Sequence, residues 1–82
     1  MNFTVYTKRG CPYCTKIISV LEQLSLSKGY SVREYVLGSD FTKQDFYSEF
    51  GEGSTFPQVV YEDKHLGGCI DTIKYLQENS LL

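Results

Sequence analysis

The sequence has no stretch approaching the roughly 20 consecutive apolar residues that a membrane-spanning helix requires, so none of it reads as a transmembrane segment. Its N-terminus, Met1-Asn2-Phe3-Thr4-Val5-Tyr6, lacks the basic segment and long apolar run of a secretory signal, and the expected location is the cytoplasm. Positive charge is scarce as well. Eight Lys and Arg stand against ten Asp and Glu, a formal net charge of −2. No basic stripe interleaves with the aromatics to track phosphates, which argues against nucleic acid as a partner. Cysteine is sparse and odd in number, three in all, whereas a secreted domain stapled by disulfides carries an even set. In a reducing compartment a close cysteine pair reads as catalytic or metal-binding before it reads as structural. The single histidine, His65, reads as an ordinary strand residue rather than a catalytic base.

What the chain does have is apolar and aromatic bulk. Hydrophobic residues make up 41% and aromatics 15%, with seven Tyr and five Phe, enough large side chains to order a small core. At 82 residues there is room for one core only, so residues 1–82 are expected to form a single domain, acting as a monomer.

The periodicity changes along the chain in a definite order. Asn2–Thr7 is aromatic and β-branched and predicts a strand, followed by a turn at Lys8-Arg9-Gly10. From Pro12, a good first helical residue, Ile17, Ile18, Leu21 and Leu24 form an apolar helical stripe that Gly29 closes. Tyr30–Leu37 predicts a second strand, and Gly38-Ser39-Asp40 a turn. Lys43–Phe50 predicts a short helix with Thr42 as N-cap, Asp45 in its first turn, and Phe46 and Phe50 on one face. Gln58–Tyr61 and Lys64–Leu66 read as a hairpin through Glu62-Asp63, Gly67-Gly68 as a break, and Ile70 or Asp71 to Gln77 as the last helix. The expected fold is therefore α/β, in the order β-α-β-α-β-β-α: a four-stranded mixed sheet flanked by three helices.

The chemistry concentrates at Cys11-Pro12-Tyr13-Cys14, on the strand-to-helix junction. Unpaired N–H groups and the helix dipole favour an anion there, and Lys8 and Arg9 act in the same direction. Both effects favour the thiolate of Cys11, the reactive form. Cys14, one turn further in, is placed to reach the Cys11 sulfur in a short redox disulfide. Two other readings exist. The pair could be half of a zinc site, but tetrahedral zinc needs four ligands, and His65 and Cys69 fit no finger or ribbon spacing. It could also be a purely structural disulfide. Cys69 itself reads as a small buried hydrophobe rather than a third redox thiol.

These residues resemble the glutaredoxin family, within the thioredoxin-like fold. Three motifs in order carry the resemblance: Thr7-Lys8-Arg9-Gly10-Cys11-Pro12-Tyr13-Cys14, Thr55-Phe56-Pro57, and Gly67-Gly68-Cys69-Ile70-Asp71. Cys-Pro-Tyr-Cys is typical of dithiol glutaredoxins, whereas thioredoxins carry Cys-Gly-Pro-Cys after a Trp, and this chain has no Trp. The resemblance implies a glutathione-dependent oxidoreductase that reduces protein disulfides and glutathione mixed disulfides. Cys11 would be the nucleophile and Cys14 the resolving thiol. Glutathione would be co-substrate, with no permanently bound cofactor and no metal, and ribonucleotide reductase would be among the disulfide-containing partners. Lys8 would pair with the glycyl carboxylate, Tyr13 would form a wall beside the active sulfur, and Pro57 would be cis. Phe56, following Thr55, would offer backbone groups to the cysteinyl part. Gly68 would admit the ligand backbone, while Cys69, Ile70 and Asp71 would hold the γ-glutamyl end.

Two positions depart from the pattern: Phe56 where valine is usual, and Ile70 where Ser, Thr or Asp is usual. Loss of a hydroxyl or carboxylate at residue 70 implies weaker glutathione affinity. Two rival functions follow, a thioredoxin-like electron donor to which a flavoprotein reductase supplies electrons, and an iron–sulfur cluster binding module, which Pro12 disfavours.

Overall fold

The computed structural model describes residues 2–82; Met1, at the start of the expected domain, lies outside them. Strand β1 (Asn2–Thr7) leads into helix α1 (Pro12–Lys28), strand β2 (Ser31–Val36) and helix α2 (Lys43–Phe50). Hairpin strands β3 (Gln58–Tyr61) and β4 (Lys64–Gly67) precede helix α3 (Cys69–Glu78). The sheet order is β2-β1-β3-β4, with β1 parallel to β2 and antiparallel to β3, and β3 antiparallel to β4. This is the expected mixed sheet of a thioredoxin-like fold.

The side-chain period of two on central strand β1 explains why helices lie on both faces. Phe3 and Val5, both fully buried, join Ile17, Leu21 and Leu24 of α1, Val59 of β3, and Cys69 and Leu76 of α3 in one core. Truncating one of the large aliphatics there to alanine would cost about 2–5 kcal/mol. Tyr6 points the opposite way, with ring centroids 5.3 Å from Phe41 and 5.0 Å from Phe50, so α2 covers the second face.

Local chemistry sets most helix ends. Pro12 opens α1, and Gly29, at φ 74°, closes it with its N–H bonded to Ser25 O. Thr42 and Asp45 form a full capping box on α2: the Thr42 hydroxyl accepts from Asp45 N, and the Asp45 carboxylate accepts from Thr42 N. Helix α3 starts at Cys69, earlier than its sequence suggests, because its N-cap, Gly68, contributes no side-chain hydrogen bond to mark the start. Burial of Cys69, Thr72 and Leu76 on one face holds it instead. Gly67 belongs to β4 rather than to a break. Strand β2 is shorter at both ends than expected: Tyr30 packs edge-on to Phe3, and Leu37 donates its N–H to Thr7 O and bridges to Phe41. No helix among the described residues is long and apolar enough to cross a membrane.

Candidate active site

The C-terminal end of β1 delivers the cysteines to the head of α1. Thr7, 2% exposed, is locked there by donating its hydroxyl to Glu34 on neighbouring β2 at 2.7 Å. After the Lys8-Arg9-Gly10 turn, Cys11 occupies the N-cap of α1 in extended conformation. Its Sγ accepts the Cys14 backbone N–H at 3.2 Å, the role an oxygen plays at an ordinary helix start. Cys11 and Cys14 are joined as a disulfide, with Cα atoms 5.2 Å apart. When the bond is reduced, the same N–H and the helix dipole stand ready for a negative sulfur on Cys11. Both residues are largely buried, Cys11 at 8% exposure and Cys14 at 4%, and Cys14 is the deeper.

All but one of the remaining residues picked out from the sequence come together. Tyr13, Thr55, Phe56, Pro57, Gly68, Cys69, Ile70 and Asp71 line a single cleft of about 200 Å³. The Phe56–Pro57 peptide is cis, as the resemblance implied. Tyr13 and Ile70 stand on the cleft exposed, at 56% and 69%, so its rim is apolar. Asp71 lies in the first turn of α3, where the dipole favours its carboxylate. Burial pushes the Cys69 thiol above its ordinary value, with only a partial counter-effect from Lys16. It therefore stays neutral near pH 7, as a packing residue should.

Lys8 does not line that cleft. Its ammonium sits 5.5 Å above the Phe56 ring and borders two larger cavities. One, of about 760 Å³, contains Cys11 and Cys14. The other, of about 710 Å³, is basic, with Lys8, Arg9 and Lys43 on its walls beside Tyr47, Thr55 and Phe56. Thr55 and Phe56 thus separate the small cleft from the basic cavity.

Three contributors escaped sequence reasoning. Phe46, 1% exposed, stacks on Phe56 at 4.1 Å with a 10° interplanar angle, fixing the loop before Pro57 to α2. Gly67 leaves room for the Asp71 carboxylate. Lys43 adds a cation to the basic cavity. Only Gly67 carried a signal, since adjacent glycines permit close approach. His65 pairs with Glu49 of α2 at 3.0 Å. Among the described residues, no cluster of three His, Cys, Asp or Glu side chains is arranged to hold a metal ion.

Comparison with known proteins gives concordant results. Residues 3–66 match the family model for glutaredoxin. Over 70 residues the chain is 33% identical to glutaredoxin 3 of Escherichia coli, covering 85% of this chain and 80% of that protein. Over 74 residues it is 39% identical to the hybrid peroxiredoxin hyPrx5 of Haemophilus influenzae, covering 90% of this chain but only 29% of that longer protein. The solved structure of reduced E. coli glutaredoxin superposes with a TM-score of 0.79 at 26% identity, over 98% of both chains.

Proposed function

The chain belongs to the glutaredoxin family and is a thiol–disulfide oxidoreductase, and on that premise we propose that it works with glutathione, reducing protein disulfides and glutathione mixed disulfides. The observation that carries the proposal is the Cys11–Cys14 disulfide at the head of α1, with Cys11 Sγ at the N-cap and Cys14 behind it.

Reduction of a protein disulfide begins when the Cys11 thiolate attacks one substrate sulfur. A Cys11–substrate S–S bond forms, the substrate S–S bond breaks, and the leaving sulfur departs as a thiolate that takes up a proton. Cys14 then loses its proton and attacks Cys11 Sγ, closing the intramolecular disulfide and releasing the second substrate thiol. Two glutathiones restore the dithiol and leave as glutathione disulfide. With a glutathione mixed disulfide, Cys11 takes the glutathionyl sulfur and expels the protein thiol. A second glutathione then resolves the intermediate without Cys14.

In this reading glutathione spans the cleft beside Tyr13. The Thr55-Phe56-Pro57 segment meets its cysteinyl backbone, and Gly68 allows that close approach. The first turn of α3 takes the γ-glutamyl carboxylate through the N–H groups of Cys69 and Ile70, and Asp71 takes the ammonium. Lys8, outside the cleft and over the Phe56 ring, takes the glycyl carboxylate. The protein operates as a single domain, a monomer in a reducing cytoplasm, with no permanent cofactor. A reductase that needs a dithiol each cycle, such as ribonucleotide reductase, suits it as a protein substrate.

The test is turnover of a glutathione mixed disulfide coupled to glutathione reductase and NADPH. The proposal expects NADPH consumption, and no turnover would defeat it. One observation favours a second reading, an electron donor served by a flavoprotein reductase: Ile70, 69% exposed, places an apolar side chain where the glutathione site calls for a polar one. Turnover with thioredoxin reductase but not with glutathione would select that reading.

A further inference from the structure

We propose that Phe56 is a positioning residue for glutathione, holding the Lys8 ammonium over its ring so that the charge stays free for the glycyl carboxylate. The inference rests on the glutathione reading above and adds to it a part for the Phe56 side chain. Defined neighbours hold both ends of the Lys8 side chain. Its root follows Thr7, which is 2% exposed and hydrogen-bonded to Glu34. Its tip lies 5.5 Å from the centroid of Phe56. That ring is itself fixed by near-parallel stacking on Phe46, 4.1 Å away, and Phe46 in turn stacks on Phe41 at 5.8 Å.

Two features give the arrangement a purpose beyond packing. Lys8, Arg9 and Lys43 line one cavity, so the neighbours of the Lys8 ammonium there are cationic and do not hold it in place. Among the described residues, no carboxylate pairs with it. A carboxylate partner would hold the ammonium but neutralise it. The negative face of an aromatic ring holds it and leaves its charge, and its outward hydrogens, for an anion. A leucine of similar burial at residue 56 would fill the space without doing this.

The experiment is a double-mutant cycle read in KM and kcat. Phe56→Leu should raise KM for a glutathione mixed disulfide about three- to fivefold, the scale of one exposed cation–π contact, with the effect on KM rather than kcat. In a Lys8→Met background the same change should raise KM no further. A mixed disulfide of γ-glutamylcysteine amide, which lacks any C-terminal carboxylate, should show no Phe56→Leu effect. Pentafluorophenylalanine at position 56 keeps a stacked ring but removes its negative face, so it should reproduce the KM rise even if Phe56→Leu unfolds. An equal effect with and without Lys8, an equal effect on the truncated substrate, or an unchanged KM for the fluorinated protein would each overturn the proposal. Wild-type protein inactive with glutathione would overturn the underlying reading as well. A wild type that turns over but shows no Phe56–Lys8 coupling would overturn this proposal alone.

Discussion

Gly67 and Asp71 occupy the same small space at the start of α3. A Cβ added to Gly67 would lie 2.8 Å from Asp71 Oδ2 and 3.1 Å from its Cβ, and the Gly67 backbone has φ of 100°. A side chain there is strained by its backbone and displaces the carboxylate as well. Gly68 differs: its φ is ordinary, and an added Cβ would meet only Pro57 O, at 3.6 Å.

Gly67→Ala is therefore expected to lose about 1–3 kcal/mol of stability, the cost of a non-glycine residue held in such a conformation. Because Asp71 is the proposed ammonium ligand, KM for a glutathione mixed disulfide should also rise, by about tenfold if one charge-assisted hydrogen bond is lost. Thermal unfolding and steady-state kinetics check the two effects separately. A stable, unaltered enzyme would show that the Asp71 position is not constrained by Gly67.

Ile70 gives a prediction of the opposite sign. It is 69% exposed in the first turn of α3, so removing its side chain forfeits little burial. Ile70→Thr adds a hydroxyl on the cleft beside Asp71. One added hydrogen bond of about 1 kcal/mol lowers KM for a glutathione mixed disulfide roughly fivefold. An unchanged or higher KM would contradict the expectation that Ile70 weakens glutathione binding.

The Cys69 thiol links stability to pH in the alkaline range. Burial raises it above the ordinary 9.0 in the folded protein, whereas the unfolded chain titrates at the ordinary value. The folded state therefore holds its proton to higher pH, and its contribution is complete below about pH 9 and lost as pH rises through the folded value. Tyr6, raised from 10.0 mainly by burial and then by Glu49 and Tyr35, adds a loss of the same sign at higher pH. Urea unfolding of the oxidised protein, in which Cys69 is the free thiol, should show stability flat to about pH 8 and falling beyond pH 9. Cys69→Ala should flatten the first part of that fall. A fall of equal slope in the variant would assign it to the tyrosines alone.

Much of this architecture is legible in the sequence because local chemistry specifies it. Pro12 and Gly29 bracket α1, and Thr42 with Asp45 marks the start of α2. The Cys-Pro-Tyr-Cys segment falls at a strand-to-helix junction that the change of period reveals. What local pattern could not show lies in contacts between distant segments. Phe46 and Phe50 read as one helical face, but nothing in their spacing says that Phe56, ten residues beyond Phe46, stacks on that face. The placement of Lys8 over Phe56 depends on that stack and was equally hidden. The start of α3 is not legible locally because glycine at its N-cap carries no capping side chain, so tertiary burial of Cys69 and Thr72 determines it.

The central claim is that the two cysteines are unequal, Cys11 the nucleophile at the N-cap and Cys14 the resolving thiol behind it. Its most direct test is the glutathione-coupled assay on wild type, Cys11→Ser and Cys14→Ser, with a protein disulfide and a glutathione mixed disulfide as parallel substrates. Cys11→Ser should lose all turnover with both, a fall of at least about 1,000-fold for removal of the nucleophile. Cys14→Ser should lose dithiol reduction yet retain turnover of the mixed disulfide, because glutathione replaces the resolving thiol. Retained activity in Cys11→Ser, or equal loss of both activities in Cys14→Ser, would contradict the account.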